Sequence, residues 1–152
     1  MPHFTTTRIV RHTPEQMFDL VADVERYPEF LPLCESLTVR GRDKDAAGNE
    51  RIQCRLTVGY GMMRETFITE VVLKRAEQHI AVRYLEGPFR KLDNTWDFRA
   101  HGPGCEVEFF IDYEFRSLPL QLLMGAMFDR AFRKFAEAFE ARADAIHGGV
   151  AI

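Results

Sequence analysis

The sequence predicts an α+β fold, a curved antiparallel sheet of about seven strands closed by a long C-terminal helix, on the strength of three observations. Apolar and polar residues alternate from about Leu37 to Arg116, the apolar spacing changes to three and four after Ser117, and the strand-like runs are joined by connections too short for parallel pairing. The chain has 152 residues, 46% hydrophobic and 28% charged, which suits one domain with a sizeable core. That domain is expected over residues 1–147, with 148–152 as a flexible tail.

Residues 3–12 are rich in threonine and β-branched side chains and read as the first strand. Thr13 follows as a helix N-cap, with Pro14 at the first helical position and Gln16 placed to complete a capping box. The helix carries Met17, Phe18, Leu20, Val21 and Val24. It is expected to stop near Arg26, because Pro28 and Pro32 cannot continue it.

Alternation is clearest from Cys105 to Phe115, where Cys105, Val107, Phe109, Ile111, Tyr113 and Phe115 interleave with a mostly acidic set. The same period places Ile52, Cys54, Leu56 and Val58 together, then Phe67, Val71 and Leu73, then Ile80, Val82 and Tyr84, then Leu92, Trp96 and Phe98. Turn residues separate these runs at 45–49, 59–61, 77–79, 87–88 and 102–104. A meander of six strands plus the N-terminal one results, and its apolar face needs a cover.

The cover is the segment from about Pro119 to Ile146, which carries Met124, Met127, Phe128, Phe132, Phe135 and Phe139 on one helical face. As a single helix it would be roughly 40 Å long. Before Asp129 the run Leu118–Phe128 is apolar almost all round, so a second apolar side needs a partner. The expectation is that Phe132, Phe135 and Phe139 anchor the sheet. Leu120–Phe128 would form a cavity wall and offer surface to a membrane or a second subunit.

Several function classes are weakened by the residue inventory. A net charge of -3 gives no general attraction to nucleic acid. Cys34, Cys54 and Cys105 are odd in number and widely spaced, which argues against a disulfide framework and a zinc site and suits a reducing compartment. His3, His12, His79, His101 and His147 show no metal-ligand spacing and read as solvated. Ser36 and Ser117 are the only serines, and neither lies in a nucleophile-elbow turn. The GxG pieces at Gly59 and Gly102 fall in hairpin turns rather than strand-to-helix loops. The N-terminus has no charged region leading into an apolar stretch, and nothing later reaches about 18 apolar residues, so a soluble, cytoplasmic protein is expected, at most peripheral at the inner membrane.

Among carboxylates, Asp93 and Asp97 share one strand face, opposite Leu92, Trp96 and Phe98, and read as solvent-facing. Glu65 shares parity with Met63, Phe67 and Val71 and is expected inward, ion-paired with Arg64, Arg83 or Arg90. No catalytic set and no metal ligands emerge. What remains is an apolar cavity between sheet and helix, the space a curved sheet leaves around one helix.

The segment Val21-Ala22-Asp23-Val24-Glu25-Arg26-Tyr27-Pro28-Glu29-Phe30-Leu31-Pro32-Leu33-Cys34 resembles the signature of the coenzyme Q-binding START-like family, within the polyketide cyclase/dehydrase superfamily. That family includes bacterial ribosome-association toxin relatives. Val58-Gly59-Tyr60, Glu65-Thr66-Phe67, Leu85 to Phe89, Leu92 to Phe98 and the aromatic closing helix resemble its later blocks. The resemblance implies the helix-grip fold, in which the sheet grips the long C-terminal helix and two short helices follow the first strand.

It also implies a polyprenyl quinone such as ubiquinone as ligand, with no covalently bound cofactor and no turnover. Two alternatives stand beside it, a protein that binds the large ribosomal subunit and an enzyme of the cyclase or aromatase kind. Strand parity and helix phase then give the expected cavity lining as Phe30, Leu33, Leu56, Val58, Phe67, Tyr84, Trp96, Phe98, Tyr113, Met124, Phe128 and Phe132. Tyr60, Arg64 and Arg90 are the expected head-group contacts at the mouth, since a quinone offers only acceptors. Peripheral membrane contact is expected through Leu120–Phe128.

Overall fold

Thr13 caps the first helix as its sequence requires: its hydroxyl accepts from the Gln16 amide at 3.1 Å, and the Gln16 side chain accepts from the Thr13 amide at 2.9 Å. In this computed structural model, which describes residues 3–148, that cap lies between β1 (His3–Val10) and α1 (Pro14–Ala22). The helix ends four residues before the expected Arg26. Its continuation, Val24–Glu29, winds as a 3-10 turn around Pro28, so one α-helix and one 3-10 turn stand where two short helices are expected.

The strands β2 (Cys34–Lys44), β3 (Glu50–Tyr60), β4 (Met63–Lys74), β5 (His79–Glu86), β6 (Phe89–His101) and β7 (Gly104–Phe115) follow as an antiparallel meander. β1 pairs antiparallel with β7, giving one seven-stranded sheet in the order β1-β7-β6-β5-β4-β3-β2. Register shifts in β2, between Ile68 and Thr69, and between Phe89 and Lys91 bend the strands, as bulges do. Burial alternates along β7 as its sequence predicts, with Cys105, Val107, Phe109, Ile111, Tyr113 and Phe115 inside.

The C-terminal segment is two helices, α2 (Leu118–Arg133) and α3 (Phe135–His147), rather than one. At Lys134 the backbone turns to φ −99°, ψ −3°, and its amide donates to Ala131, three residues back instead of four. No proline or glycine marks this junction, which is why periodicity alone runs through it. α2 lies on β7, whereas α3 reaches α1 and β1. Residues 149–152 of the expected tail lie outside the described residues.

Two polar side chains sit differently from their sequence reading. His12, expected in solvent, is fully buried, with Nε2 2.7 Å from Asp144 Oδ1 on α3. Glu65 lies on the inward side of β4 but is half-buried, and among the described residues it forms no ion pair. Arg64 pairs with Glu35, Arg83 with Glu70 and Arg90 with Glu114. Arg64 is next to Glu65 on the strand, so the two side chains leave opposite faces and cannot meet.

The outer face is polar, as the acidic alternation predicts. Arg99 bridges Glu106 and Glu108, Lys91 meets Asp112, and Asp97 holds His79 Nδ1 at 2.7 Å. Such exposed pairs each contribute about 0–1 kcal/mol, so the stability of the fold resides on the inner face.

Candidate functional site

The inner face of β2 to β6 does not pack fully against the closing helices. A cavity of about 90 Å3 remains, walled by the sheet, by the 3-10 turn and the loop after it, and by the end of α2 with the start of α3. The helical wall is Phe128, Ala131, Phe132, Phe135 and Phe139, a stripe at steps of three, one, three and four that continues across the break at Lys134. The helix is thus arranged otherwise than expected. Its aromatic half lines the cavity, and of Leu120–Phe128 only Phe128 reaches it.

Of the residues expected in the lining, Leu33, Leu56, Val58, Phe67, Trp96, Phe128 and Phe132 are there. Five are elsewhere. Phe30 turns onto Phe139, ring centroids 5.0 Å apart, under the guanidinium of Arg142. Phe98 meets Phe18 of α1 at 6.0 Å. Tyr113 is buried against Phe132 at 4.9 Å, in a cluster with Phe89 and Phe115. Tyr84 packs on Phe89 and accepts its amide hydrogen at 3.1 Å. Met124 is buried in the core. Parity fixes the face a strand residue takes, but not its place along a bent sheet, and these side chains fill the core around the cavity.

Of the expected head-group donors, Arg64 and Arg90 are not in the cavity wall either. Arg64 Nε lies 2.6 Å from Glu35, and its Nη1 donates to the carbonyls of Gly61 and Met63. The Arg90 side chain is 67% exposed and 3.7 Å from Glu114. The Tyr60 side chain lies outside the described residues.

Sequence reasoning missed the contribution of Val24, Tyr27, Leu31 and Pro32, which comes from a segment read as a helix ending and its following loop. Tyr27 inserts its ring against Phe139 at 5.3 Å and donates its hydroxyl to the Val21 carbonyl. Leu33, beside them, adopts φ 67°, the left-handed region that a branched side chain rarely occupies. Cys34, Leu37, Cys54, Thr69, Val71, Val82, Leu92, Asn94 and Ile111 complete the sheet side of the wall.

No charged side chain lines this cavity among the described residues. Burial pushes the thiols of Cys34 and Cys54 up to about 11, so both stand as neutral groups near pH 7. Burial likewise raises Tyr27. Thr69, almost fully buried, and Asn94, whose Nδ2 donates to the Phe110 carbonyl at 2.8 Å, bring the uncharged polar groups of the sheet wall. At the end of β5, Gly87 takes φ 148°, and a Cβ there would lie 2.4 Å from that of Phe67. Only glycine lets the β5–β6 turn close over that aromatic wall.

At the end of the sheet where β3 meets β4 and β7 gives way to α2, large apolar side chains face solvent. Met62 and Leu85 are exposed, and on the first turns of α2 Leu118, Leu122 and Leu123 are 68%, 78% and 66% exposed. Among the described residues no helix is long and apolar enough to cross a membrane.

A site of this kind holds an apolar molecule by desolvation, at about 25 cal/mol per Å2, and orients it through few polar contacts. Comparison with known proteins agrees with that architecture. The profile of the family described as polyketide cyclase / dehydrase and lipid transport matches residues 10–140. The chain is 32% identical over 146 residues to the ribosome association toxin RatA of Rickettsia prowazekii, covering 94% of this chain and 97% of that protein. It is 29% identical over 145 residues to the mitochondrial coenzyme Q-binding protein COQ10 of Dictyostelium discoideum, covering 93% of this chain and 69% of that one. The solution structure of the 18 kDa protein CC1736 from Caulobacter crescentus superposes with a TM-score of 0.77 at 36% identity, over 98% of this chain and all of that one.

Proposed function

This chain belongs to the polyketide cyclase / dehydrase and lipid transport family, and from that membership and its uncharged cavity we propose that it binds a polyprenyl quinone and carries it without converting it. Its sheet, closed by α2 and α3, is the START-like helix-grip fold. The observation that supports the reading most is the wall itself, aromatic and aliphatic side chains with only neutral polar groups between them. Such a wall rewards a ring and an isoprenoid chain for leaving water and penalises a charged ligand.

The lining supports carriage rather than turnover, since its titratable groups, Cys34, Cys54 and Tyr27, are held neutral by burial. General acid–base chemistry needs a titratable group within hydrogen-bond reach of the reacting atom. Tyr113, pushed up to about 12 by burial, is packed away in the aromatic cluster, and Glu65 is outside the wall. A cavity of about 90 Å3 does not enclose a long prenyl chain, so the tail extends past it. The exposed leucines of α2 give the protein a face for the membrane from which such a ligand is drawn.

Organic extraction of the purified protein followed by mass spectrometry tests the reading. A prenyl quinone in near-stoichiometric amount is the expected result, and an extract without one, from protein that shows no saturable quinone binding, overturns it.

A second reading is association with the large ribosomal subunit, favoured by the 32% identity to a protein named for that property. Co-sedimentation with isolated large subunits in a low-salt sucrose gradient supports it if the protein migrates with them. Protein left at the top of the gradient removes it.

A further inference from the structure

The sheet wall carries two polar side chains whose presence the fold does not require. Thr69 on β4 follows the inward parity of Phe67 and Val71, and Asn94 on β6 follows that of Leu92 and Trp96. Valine and leucine would fill those places. An amide or hydroxyl that faces an apolar cavity without a partner is destabilising relative to a satisfied one. Asn94 spends one N–H on the Phe110 carbonyl, which leaves its second N–H and its oxygen for the cavity.

Their spacing is informative. β5 lies between them, with Thr69 opposite Tyr84 and Asn94 opposite Val82. Two strand spacings and one two-residue step put their Cα atoms roughly 12 Å apart. A six-membered ring with oxygens at opposite edges, plus one hydrogen bond on each side, spans about 11 Å from one side-chain polar atom to the other, and two side chains leaving the same sheet face hold their tips about as far apart as their Cα atoms. The arginines expected to bind a head group are outside, tied to Glu35 and Glu114.

Resting on the quinone-binding reading, we infer that the ligand enters ring first, with its two oxygens between Thr69 and Asn94 and its tail leaving past Leu33 and Leu37. Both are half-buried wall residues, Leu33 just before the edge strand β2 and Leu37 on it, where the sheet of the described residues ends. Hydroxyl and amide each offer a donor and an acceptor, so the same pair meets a quinone, which only accepts, and a quinol, which also donates. The pair therefore selects the oxygenated ring while remaining indifferent to its redox state.

Calorimetric titration with decyl-benzoquinone and with decylbenzene, the same shape without the oxygens, separates this inference from the broader reading. The wild-type protein is expected to prefer the quinone by about tenfold or more. Asn94→Leu should lose most of that preference and Thr69→Val, which is nearly isosteric, several-fold of it. Both should hold decylbenzene within twofold of wild type, which also shows that the cavity is intact. A full quinone preference retained in Thr69→Val and in folded Asn94→Leu overturns the inference and leaves quinone binding standing, as does a wild-type protein that binds both probes equally. A wild-type protein that binds neither overturns both.

Discussion

Trp96 and Phe139 meet edge to face with ring centroids 5.0 Å apart, joining β6 to α3 at the floor of the cavity. Tyr27 and Phe30 close on the same phenylalanine at 5.3 and 5.0 Å. Sheet, closing helix and the segment after α1 therefore depend on one ring, which is 1% exposed. Phe139→Ala should lower stability by about 3–5 kcal/mol in urea denaturation. A loss below about 1 kcal/mol would mean that the three elements are held together elsewhere.

Arg64 and Arg90 lie outside the cavity wall, each paired with a glutamate at the surface. Arg64→Ala and Arg90→Ala are expected to change quinone affinity by less than about twofold, because screened surface pairs contribute little. A tenfold loss in either would place the head group at the mouth instead of in the wall.

Burial lifts Cys34, Cys54 and Cys105 to about 11 from an ordinary value of 9.0. At pH 8 the folded protein should thus react with a thiol-specific disulfide reagent far more slowly than the same protein in urea. The stability that neutral burial contributes is complete below pH 9, where both states are protonated. It is lost as pH rises toward 11, because the unfolded state gives up its protons first. Denaturation midpoints that stay level from pH 8.5 to 11 in the wild type would contradict this.

Leu123 is 66% exposed on the first half of α2, beside Leu122 at 78%. Leu123→Glu should leave stability within about 0.5 kcal/mol of wild type, since little burial is lost, while reducing flotation with liposomes. Destabilisation of several kcal/mol would show that this face is covered in solution.

The parts of the fold that were legible in the sequence are those with local causes. Thr13, Pro14 and Gln16 specify the start of α1 through atoms within one turn of one another. The alternation in β7 specifies its inner face, and hairpin-length connections specify the neighbours, so strand order follows almost without choice. Positions that depend on tertiary packing were not legible. The break at Lys134 has no glycine or proline to announce it, and the burial of His12 depends on Asp144 arriving from the far end of the chain.

The cavity was legible by halves. Helix phase found Phe128 and Phe132, and strand parity found Leu56, Val58, Phe67 and Trp96, but parity also admitted Phe98 and Tyr113, which the sheet's bending carries under α1 and into the aromatic cluster. Asn94 and Thr69 carried a usable signal, polar side chains on inward parity, and Tyr27 carried none, because a 3-10 turn around proline has no periodicity to read.

Trp96 is the only tryptophan and lies in the cavity wall, so its fluorescence reports on the site alone. Titration of the purified protein with a short-chain ubiquinone is predicted to quench that emission saturably, reaching one ligand per chain. It should be reversed by an excess of a non-quenching quinone analogue that competes for the cavity. Quenching that rises linearly without saturation, and that such a competitor does not reverse, would be collisional and would contradict a quinone-binding cavity.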